Sequence, residues 1–168
     1  MPSFLSRVLG AWELLTYTAT NVENDNDVLH PMGEQCKGQI VYTEDGYMAA
    51  LLQWGDVEPY EGGPRRGTTR ELANAGKKTI SYCGPFYLDE QPGNKQKIIH
   101  HAKIALPPNW ISTLQLRLAE MTEEDGQVFL TLGPEALLEH NGVKRIVRLK
   151  WRKLPPNDTS KVPREVKL

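Results

Sequence analysis

The stretch GQIVYTEDGYMAALLQW, residues 38–54, decides the fold class of this chain. Two runs rich in apolar and β-favouring residues, Gln35–Thr43 and Tyr47–Trp54, lie on either side of the dipeptide Asp45-Gly46. An Asp-Gly pair between two such runs is typical of a tight turn that joins antiparallel strands. This stretch therefore predicts a β-hairpin.

The same pattern recurs along most of the chain. The segments TEDGY, DEQPGN, LPPNW, TEEDGQ and EHNG carry turn-forming residues and separate apolar runs. The pattern predicts eight strands: Trp12–Thr20, Gln35–Thr43, Tyr47–Trp54, Pro85–Asp89, Gln96–Leu106, Ile111–Met121, Val128–Gly133 and Val143–Lys153. Because most of the connections are short, neighbours along the chain are expected to be hairpin partners.

One helix is predicted between the third and fourth strands, over Thr69–Tyr82. It would begin at the capping pattern formed by Thr68 and Glu71. Its apolar stripe would consist of Leu72, Gly76, Ile80 and Cys83.

Eight consecutive antiparallel strands have two common arrangements, a sandwich and a closed barrel. Sequential hairpins favour an all-β, eight-stranded antiparallel up-and-down barrel, because a Greek key needs longer returns. Residues 1–154 would form this one domain. The segment 155–168 has too little apolar material to fold and is expected to be a flexible C-terminal tail.

The composition excludes several classes of partner. Twenty Lys and Arg residues against twenty-one Asp and Glu give a net charge of −1, which provides no basic surface for nucleic acid. No apolar run is long enough to span a membrane, and the start, MPSFLSRVLGAW, is too short in apolar residues for a secretory signal. We therefore expect a cytoplasmic protein that binds neither nucleic acid nor membranes.

Gly10-Ala11-Trp12 at the start of the first strand resembles the Gly-x-Trp opening of lipocalin barrels. The segments GAWELLTY, GQIVYTEDGYMAA, SYCGPFYLD, IHHAKIALPPNW, TLQLRLAE and LKWR follow one another in the chain. Together they resemble the small lipocalin-like domain family of bacteria and fungi, over roughly Leu9 to Arg152. The resemblance implies a calycin-type barrel in which Trp12 closes one end and a basic residue, here Arg148 or Arg152, packs over it. Trp12 and Trp151 are both expected to lie in the core.

The resemblance also implies a class of function, although the family is functionally diverse. An eight-stranded barrel of this type can hold one small ligand. Some lipocalin-like proteins of natural-product pathways direct cyclisations or isomerisations without a cofactor. Unlike secreted lipocalins, this chain shows no signal peptide or disulfide framework, which argues against extracellular transport.

The adjacent histidines His100 and His101 cannot both point into a barrel, because neighbouring residues on a strand face opposite sides. His101 shares its face with Lys97 and Lys103, so His100 is expected to point inward. A four-residue PPNW connection that pairs Leu106 with Ile111 would place His100 opposite Arg117.

That register predicts a polar group of side chains inside the barrel. His100, Arg117 and Tyr42 would be the catalytic residues: Arg117 would hold an oxyanion, while His100 and a tyrosine would transfer a proton. The predicted substrate-binding residues are Gln115, Thr113, Tyr87, Trp54 and Trp110. Structural roles stay open, namely a satisfied core imidazole for His100 and an ion pair of Arg117 with Glu13, Glu120 or Asp89.

Cofactors and metals are not expected. His30 and His140 lie in predicted loops with no Cys or His at ligand spacing, and no glycine-rich phosphate loop leads from a strand into a helix.

We interpret the chain as a cofactor-independent enzyme, an isomerase or cyclase of secondary metabolism. Its substrate would be a small, hydrophobic, oxygenated molecule of polyketide or terpenoid type. The alternative is a noncatalytic carrier that uses the same cavity. An apolar face formed by Leu114, Leu116 and Leu118 also predicts a homodimer.

Overall fold

The predicted hairpin is present in the computed structural model, which describes residues 3–90, 92 and 95–163. Strand β3 (Lys37–Tyr42) pairs antiparallel with β4 (Tyr47–Gln53). Gly46 occupies the turn with φ +85, a left-handed conformation that glycine adopts without steric penalty. Side chains alternate between the two faces of β4, and Met48, Ala50 and Leu52 are buried.

The described chain contains two short helices, one 3₁₀ turn and eleven strands. The helices are α1 (Phe4–Val8) and α2 (Thr69–Lys77), and the 3₁₀ turn is Pro108–Trp110. Besides β3 and β4, the strands are β1 (Gly10–Asn21), β2 (Asn24–Leu29), β5 (Thr79–Asp89), β6 (Lys95–Ala102), β7 (Ile104–Leu106), β8 (Thr113–Glu124), β9 (Gln127–Gly133), β10 (Leu138–His140) and β11 (Val143–Lys153).

Eight of these strands form a closed antiparallel barrel, which confirms the predicted fold class. The order β1, β3, β4, β5, β6, β8, β9, β11 follows the chain, and β11 pairs back onto β1 from Trp12↔Lys153 to Asn21↔Arg145. The short strands β2, β7 and β10 are added to the barrel strands β1, β5 and β11.

The predicted helix begins where expected but is shorter. Thr68 and Glu71 form the capping box at the start of α2, which ends at Lys77 instead of Tyr82. The rest of the predicted helix belongs to β5, which pairs with β4 from Gln53↔Thr79 to Tyr47↔Pro85. Pairing along the whole length of β4 outweighs the weak helical periodicity of this segment.

The predicted pairing between the strands of His100 and Arg117 was wrong by two residues. His100 pairs with Gln115, and Ile98 pairs with Arg117. The reason is that the chain leaves the β6 strand after Ala102, so that the connection to β8 spans residues 103–112 instead of four residues. Within this connection, β7 pairs with β5. A shift of two residues keeps each side chain on its predicted face.

One end of the barrel is closed around Trp12, which is fully buried as predicted. Its indole Nε1 donates a hydrogen bond of 2.8 Å to the carbonyl of Val8 in α1. The basic residue over its ring is Lys153, with Nζ 5.2 Å from the ring centroid. The expectation of Arg148 or Arg152 in this place was therefore wrong.

A partly buried ion pair joins β11 to β2. Arg145, which is 5% exposed, donates two hydrogen bonds of 3.0 and 2.9 Å to the carboxylate of Asp27. It donates two more to the backbone carbonyls of Ala19 and Asp27. These bonds attach β2 to the barrel.

Three further features concern the C-terminal segment, the cysteines and membrane-spanning helices. Residues 155–163 form no helix or strand and are exposed. Cys36 and Cys83 are unpaired. Within the described ranges, no helix has the length and apolar character needed to cross a membrane.

Candidate functional site

The barrel encloses a cavity of about 350 Å³, a volume in the range of small-molecule sites. Apolar side chains form most of its wall, among them Ile40, Leu52, Ile80, Leu132, Leu149 and Trp151. The polar side chains of its lining are Tyr17, Tyr82, Gln115 and Arg117. No carboxylate is among the lining residues that the structure describes.

A ladder of hydrogen bonds holds the polar side chains of β8. Thr113 Oγ1 donates to the carbonyl of Trp110 at 2.6 Å, and Gln115 Nε2 donates to Thr113 Oγ1 at 2.8 Å. Arg117 Nη2 then donates to Gln115 Oε1 at 3.2 Å. Residues at i and i+2 of a strand share a face, so the ladder follows from the spacing of these three residues.

Arg117 lines the cavity without a carboxylate partner in the described part of the chain. Arg117 also donates a hydrogen bond of 2.9 Å to the carbonyl of Leu116, and its guanidinium carbon lies 6.0 Å from the centroid of the Trp110 ring. Glu13, one of the expected partners, pairs with Arg152 instead. Among the residues that the structure describes, Arg117 thus has neutral acceptors and no counter-charge.

His100 is fully buried between two tyrosines. Tyr42 Oη lies 2.9 Å from Nε2, and Tyr82 Oη lies 2.9 Å from Nδ1. Burial, with a smaller contribution from the charge of Arg117, lowers the pKa of His100 from 6.5 to about 3. The imidazole is therefore neutral at pH 7, with both ring nitrogens engaged.

The two tyrosines of this group are protonated at neutral pH. Burial raises the pKa of Tyr42 well above its ordinary value of 10.0. Burial also raises the pKa of Tyr82, but the positive charge of Arg117 opposes this rise. Tyr82 lines the cavity, whereas Tyr42 and His100 lie behind it. We call Tyr42, His100 and Tyr82 the Tyr-His-Tyr chain.

The structure brings some of the predicted site residues together and leaves others apart. His100 and Tyr42 form one hydrogen-bonded group with Tyr82, and Arg117, Gln115 and Thr113 form a second one. Trp110 contacts both groups, since its ring centroid is 5.3 Å from that of Tyr82 and 6.0 Å from the guanidinium carbon of Arg117.

Two predicted residues lie elsewhere. Tyr87 is on the outer face of β5, paired with Ile99, and its side chain is half exposed. Trp54 packs beside Gly33, outside the cavity lining.

Two tyrosines of the cavity, Tyr82 and Tyr17, were missed by the sequence reasoning. Tyr82 was assigned to the helix, although alternation of Ile80, Tyr82 and Phe86 is a strand signal that could have revealed it. Tyr17 faces inward because the register of β1 against β11 shifts between Leu14 and Thr16. No local sequence pattern predicts this shift.

A closed barrel with an apolar cavity and a small polar group defines a lipocalin-type small-molecule protein. The model of the lipocalin-like domain family matches residues 9–154, and this chain belongs to that family.

A relative is also found among characterised proteins. The 4'-hydroxy-3'-methoxypropiophenone carrier protein of Aspergillus oryzae is 30% identical to the chain over 92 residues, which is 53% of this chain and 79% of the relative. The family and the relative support binding of a small molecule.

Proposed function

We propose that this protein is a cytoplasmic carrier that binds one small, mostly hydrophobic, oxygenated molecule inside the barrel. The observation that carries the proposal is Arg117, a cation that lines an apolar cavity without a carboxylate partner among the described residues. A partly buried guanidinium beside apolar side chains is stabilised by an anionic or strongly accepting oxygen. The apolar wall would contact the rest of the ligand.

The ligand that fits this arrangement carries a ketone or an acidic hydroxyl on a hydrophobic ring system. The Aspergillus oryzae relative is named for a propiophenone with one hydroxyl and one methoxy group. We propose a ligand of similar chemistry for this chain, with an oxygen beside Arg117 and Tyr82, and with its ring against the apolar wall and Trp110.

The experiment is a binding titration with 4'-hydroxy-3'-methoxypropiophenone as the probe, followed by calorimetry and by tryptophan fluorescence. Trp110 and Trp151 line the cavity and are expected to report occupancy. We expect saturable one-to-one binding that weakens in Arg117→Met and is unchanged in the outer-face variant Tyr87→Phe. Equal binding by wild type and Arg117→Met would contradict the proposal.

A catalytic use of the same site is the second candidate, as an isomerase or cyclase without a cofactor. It is supported by the Tyr-His-Tyr chain beside Arg117: Arg117 and Gln115 would hold the ketone oxygen, Tyr82 would donate its proton to that oxygen, and a water molecule would take the proton from the carbon next to the carbonyl, which gives the enol. Incubating the ketone probe with the protein in D₂O tests this candidate. Deuterium incorporation next to the carbonyl, lost in Tyr82→Phe, would support catalysis, and a rate equal to that of buffer would contradict it.

A homodimer through β8 is also proposed. Leu114 is 63% exposed on the outer face of the barrel, and Leu116 and Leu118 share that face. Sedimentation of wild type and Leu114→Glu tests this interface, because the charge would dissociate a dimer formed by this face. A wild-type monomer at high concentration would contradict it.

A further inference from the structure

We propose that the Tyr-His-Tyr chain has a fixed polarity that leaves one proton, on the hydroxyl of Tyr82, for the ligand. Tyr82 would then be the residue that selects ligands with an acceptor oxygen at that point. This inference rests on the proposed binding function and specifies the ligand group that the cavity recognises.

The polarity follows from Tyr42. Its hydroxyl is buried, and its hydrogen-bond partner among the described residues is His100 Nε2, at 2.9 Å. A buried hydroxyl proton without an acceptor is destabilising. Tyr42 therefore donates its proton to Nε2, which must be unprotonated.

A neutral imidazole carries one proton, on one of its two nitrogens. Since Nε2 accepts from Tyr42, the proton of His100 is on Nδ1. Nδ1 lies 2.9 Å from Tyr82 Oη, so the ring donates to that oxygen. With the opposite polarity, the Tyr42 proton would be buried without an acceptor. With this polarity, the proton without a protein acceptor is that of Tyr82, a residue that lines the cavity, where a ligand can accept it.

Arg117 strengthens Tyr82 as a donor. Its positive charge acts on the same hydroxyl and favours negative charge on Oη. A phenol oxygen that accepts from an imidazole N–H and faces a guanidinium donates its own proton more strongly. Tyr82 Oη thus presents a proton, not a lone pair, to a ligand.

The predicted recognition is therefore one-sided. A ketone oxygen, a phenolate or a carboxylate can accept from Tyr82 and lie beside Arg117. An ammonium group is repelled by the guanidinium. Replacing a ligand C=O by CH₂ would leave the Tyr82 proton unpaired in the bound state, and affinity should fall by about tenfold.

The first test measures the proton directly. Nitrogen NMR of protein labelled at histidine distinguishes Nδ1–H from Nε2–H, and His100→Gln assigns the signal. We expect the Nδ1–H form at pH 7, without any ligand. The Nε2–H form would overturn the inference, whatever the cavity binds.

The second test compares 4'-hydroxy-3'-methoxypropiophenone with its analogue in which the ketone C=O is CH₂. Wild type should prefer the ketone by about tenfold, Tyr82→Phe should lose that preference, and Tyr87→Phe should keep it. Loss of the preference with the CH₂ analogue still bound confirms the inference, and a retained preference in folded Tyr82→Phe overturns it. If wild type bound neither probe, the carrier proposal would fail, and the NMR result alone would decide the polarity.

Discussion

Two arginines of this barrel differ in what surrounds them. Arg145 donates to both oxygens of Asp27 and to two backbone carbonyls, so its charge is compensated within the fold. Arg117 lines the cavity and has neutral acceptors from Leu116 and Gln115. Both are held by hydrogen bonds, but only Arg145 has a carboxylate partner among the described residues.

The difference indicates different roles for the same residue type. A buried charge with a carboxylate partner contributes to the attachment of a strand, and its removal leaves acceptors without donors. A charge that lines a cavity without a counter-charge destabilises the empty protein and is compensated when an anionic or polar ligand binds. Arg145 should therefore act on stability and Arg117 on binding.

The largest effect is expected for Arg145→Met. The substitution removes four hydrogen bonds at the junction of β2 and β11 and should lower the free energy of unfolding by roughly 2–3 kcal/mol. Urea denaturation measures the change. Arg152→Met is the control, because its ion pair with Glu13 is exposed and should contribute less than about 1 kcal/mol. Equal losses in the two variants would remove the basis of the comparison.

Arg117→Met should show the reverse profile. We expect a free energy of unfolding within about 1 kcal/mol of wild type, or higher, because an uncompensated charge becomes an apolar side chain. Affinity for the ketone probe should fall by about tenfold or more, which is roughly 1.4 kcal/mol. Denaturation and calorimetry on the same samples separate the two quantities. A destabilisation as large as that of Arg145→Met would assign Arg117 to the fold.

The stability of the protein should fall in acid because of the buried His100. His100 has a folded pKa of about 3 and an ordinary value of 6.5, so the unfolded chain binds a proton first as the pH falls. Stability from the neutral imidazole is complete above pH 6.5 and should decline below it, by up to about 1.4 kcal/mol per pH unit. Urea denaturation at pH 7 and pH 5 measures this loss, which His100→Gln should reduce. An equal pH dependence in both proteins would contradict the assignment.

The smallest effect is expected at Asp27, the partner of Arg145. Hydrogen bonds from Asn21 and Arg145 lower its pKa below 3.8. The ionised carboxylate therefore stabilises the folded state above that pH, and the contribution is lost as the pH falls through the folded pKa. Asp27→Asn should be less stable than wild type at pH 7 and approach it in acid, whereas exposed Asp25→Asn should match wild type throughout.

The barrel was predictable because its signals are local. Alternating apolar residues and turn dipeptides, such as Asp45-Gly46, report strands and hairpins within a few residues. The inward faces of His100, Arg117 and Gln115 were also predictable, since strand periodicity fixes them. The burial of Trp12 and Trp151 agreed with the sequence as well.

The parts of the site that could not be predicted from the sequence depend on contacts between segments far apart in the chain. The pairing of His100 with Gln115 depends on the chain bending away at Lys103, and the strand conformation of Tyr82 depends on pairing with β4. Tyr17 faces inward because β1 changes register against β11. Each of these is decided by a partner far along the chain, which a window of neighbouring residues does not contain.

The bend at Lys103 has a consequence for how this barrel can change. The pairing of β6 with β8 ends at Ala102↔Thr113, and residues 103–112 connect the two strands without pairing to each other. Within this connection, β7 pairs with β5, and the 3₁₀ turn places Trp110 at the cavity. Trp110, which lies beside Arg117 in the cavity wall, is thus positioned by this connecting segment and not by the hydrogen bonds between β6 and β8. We expect that replacing residues 103–112 with the corresponding segment of another family member would change which ligand is preferred, while the rest of the barrel keeps its structure.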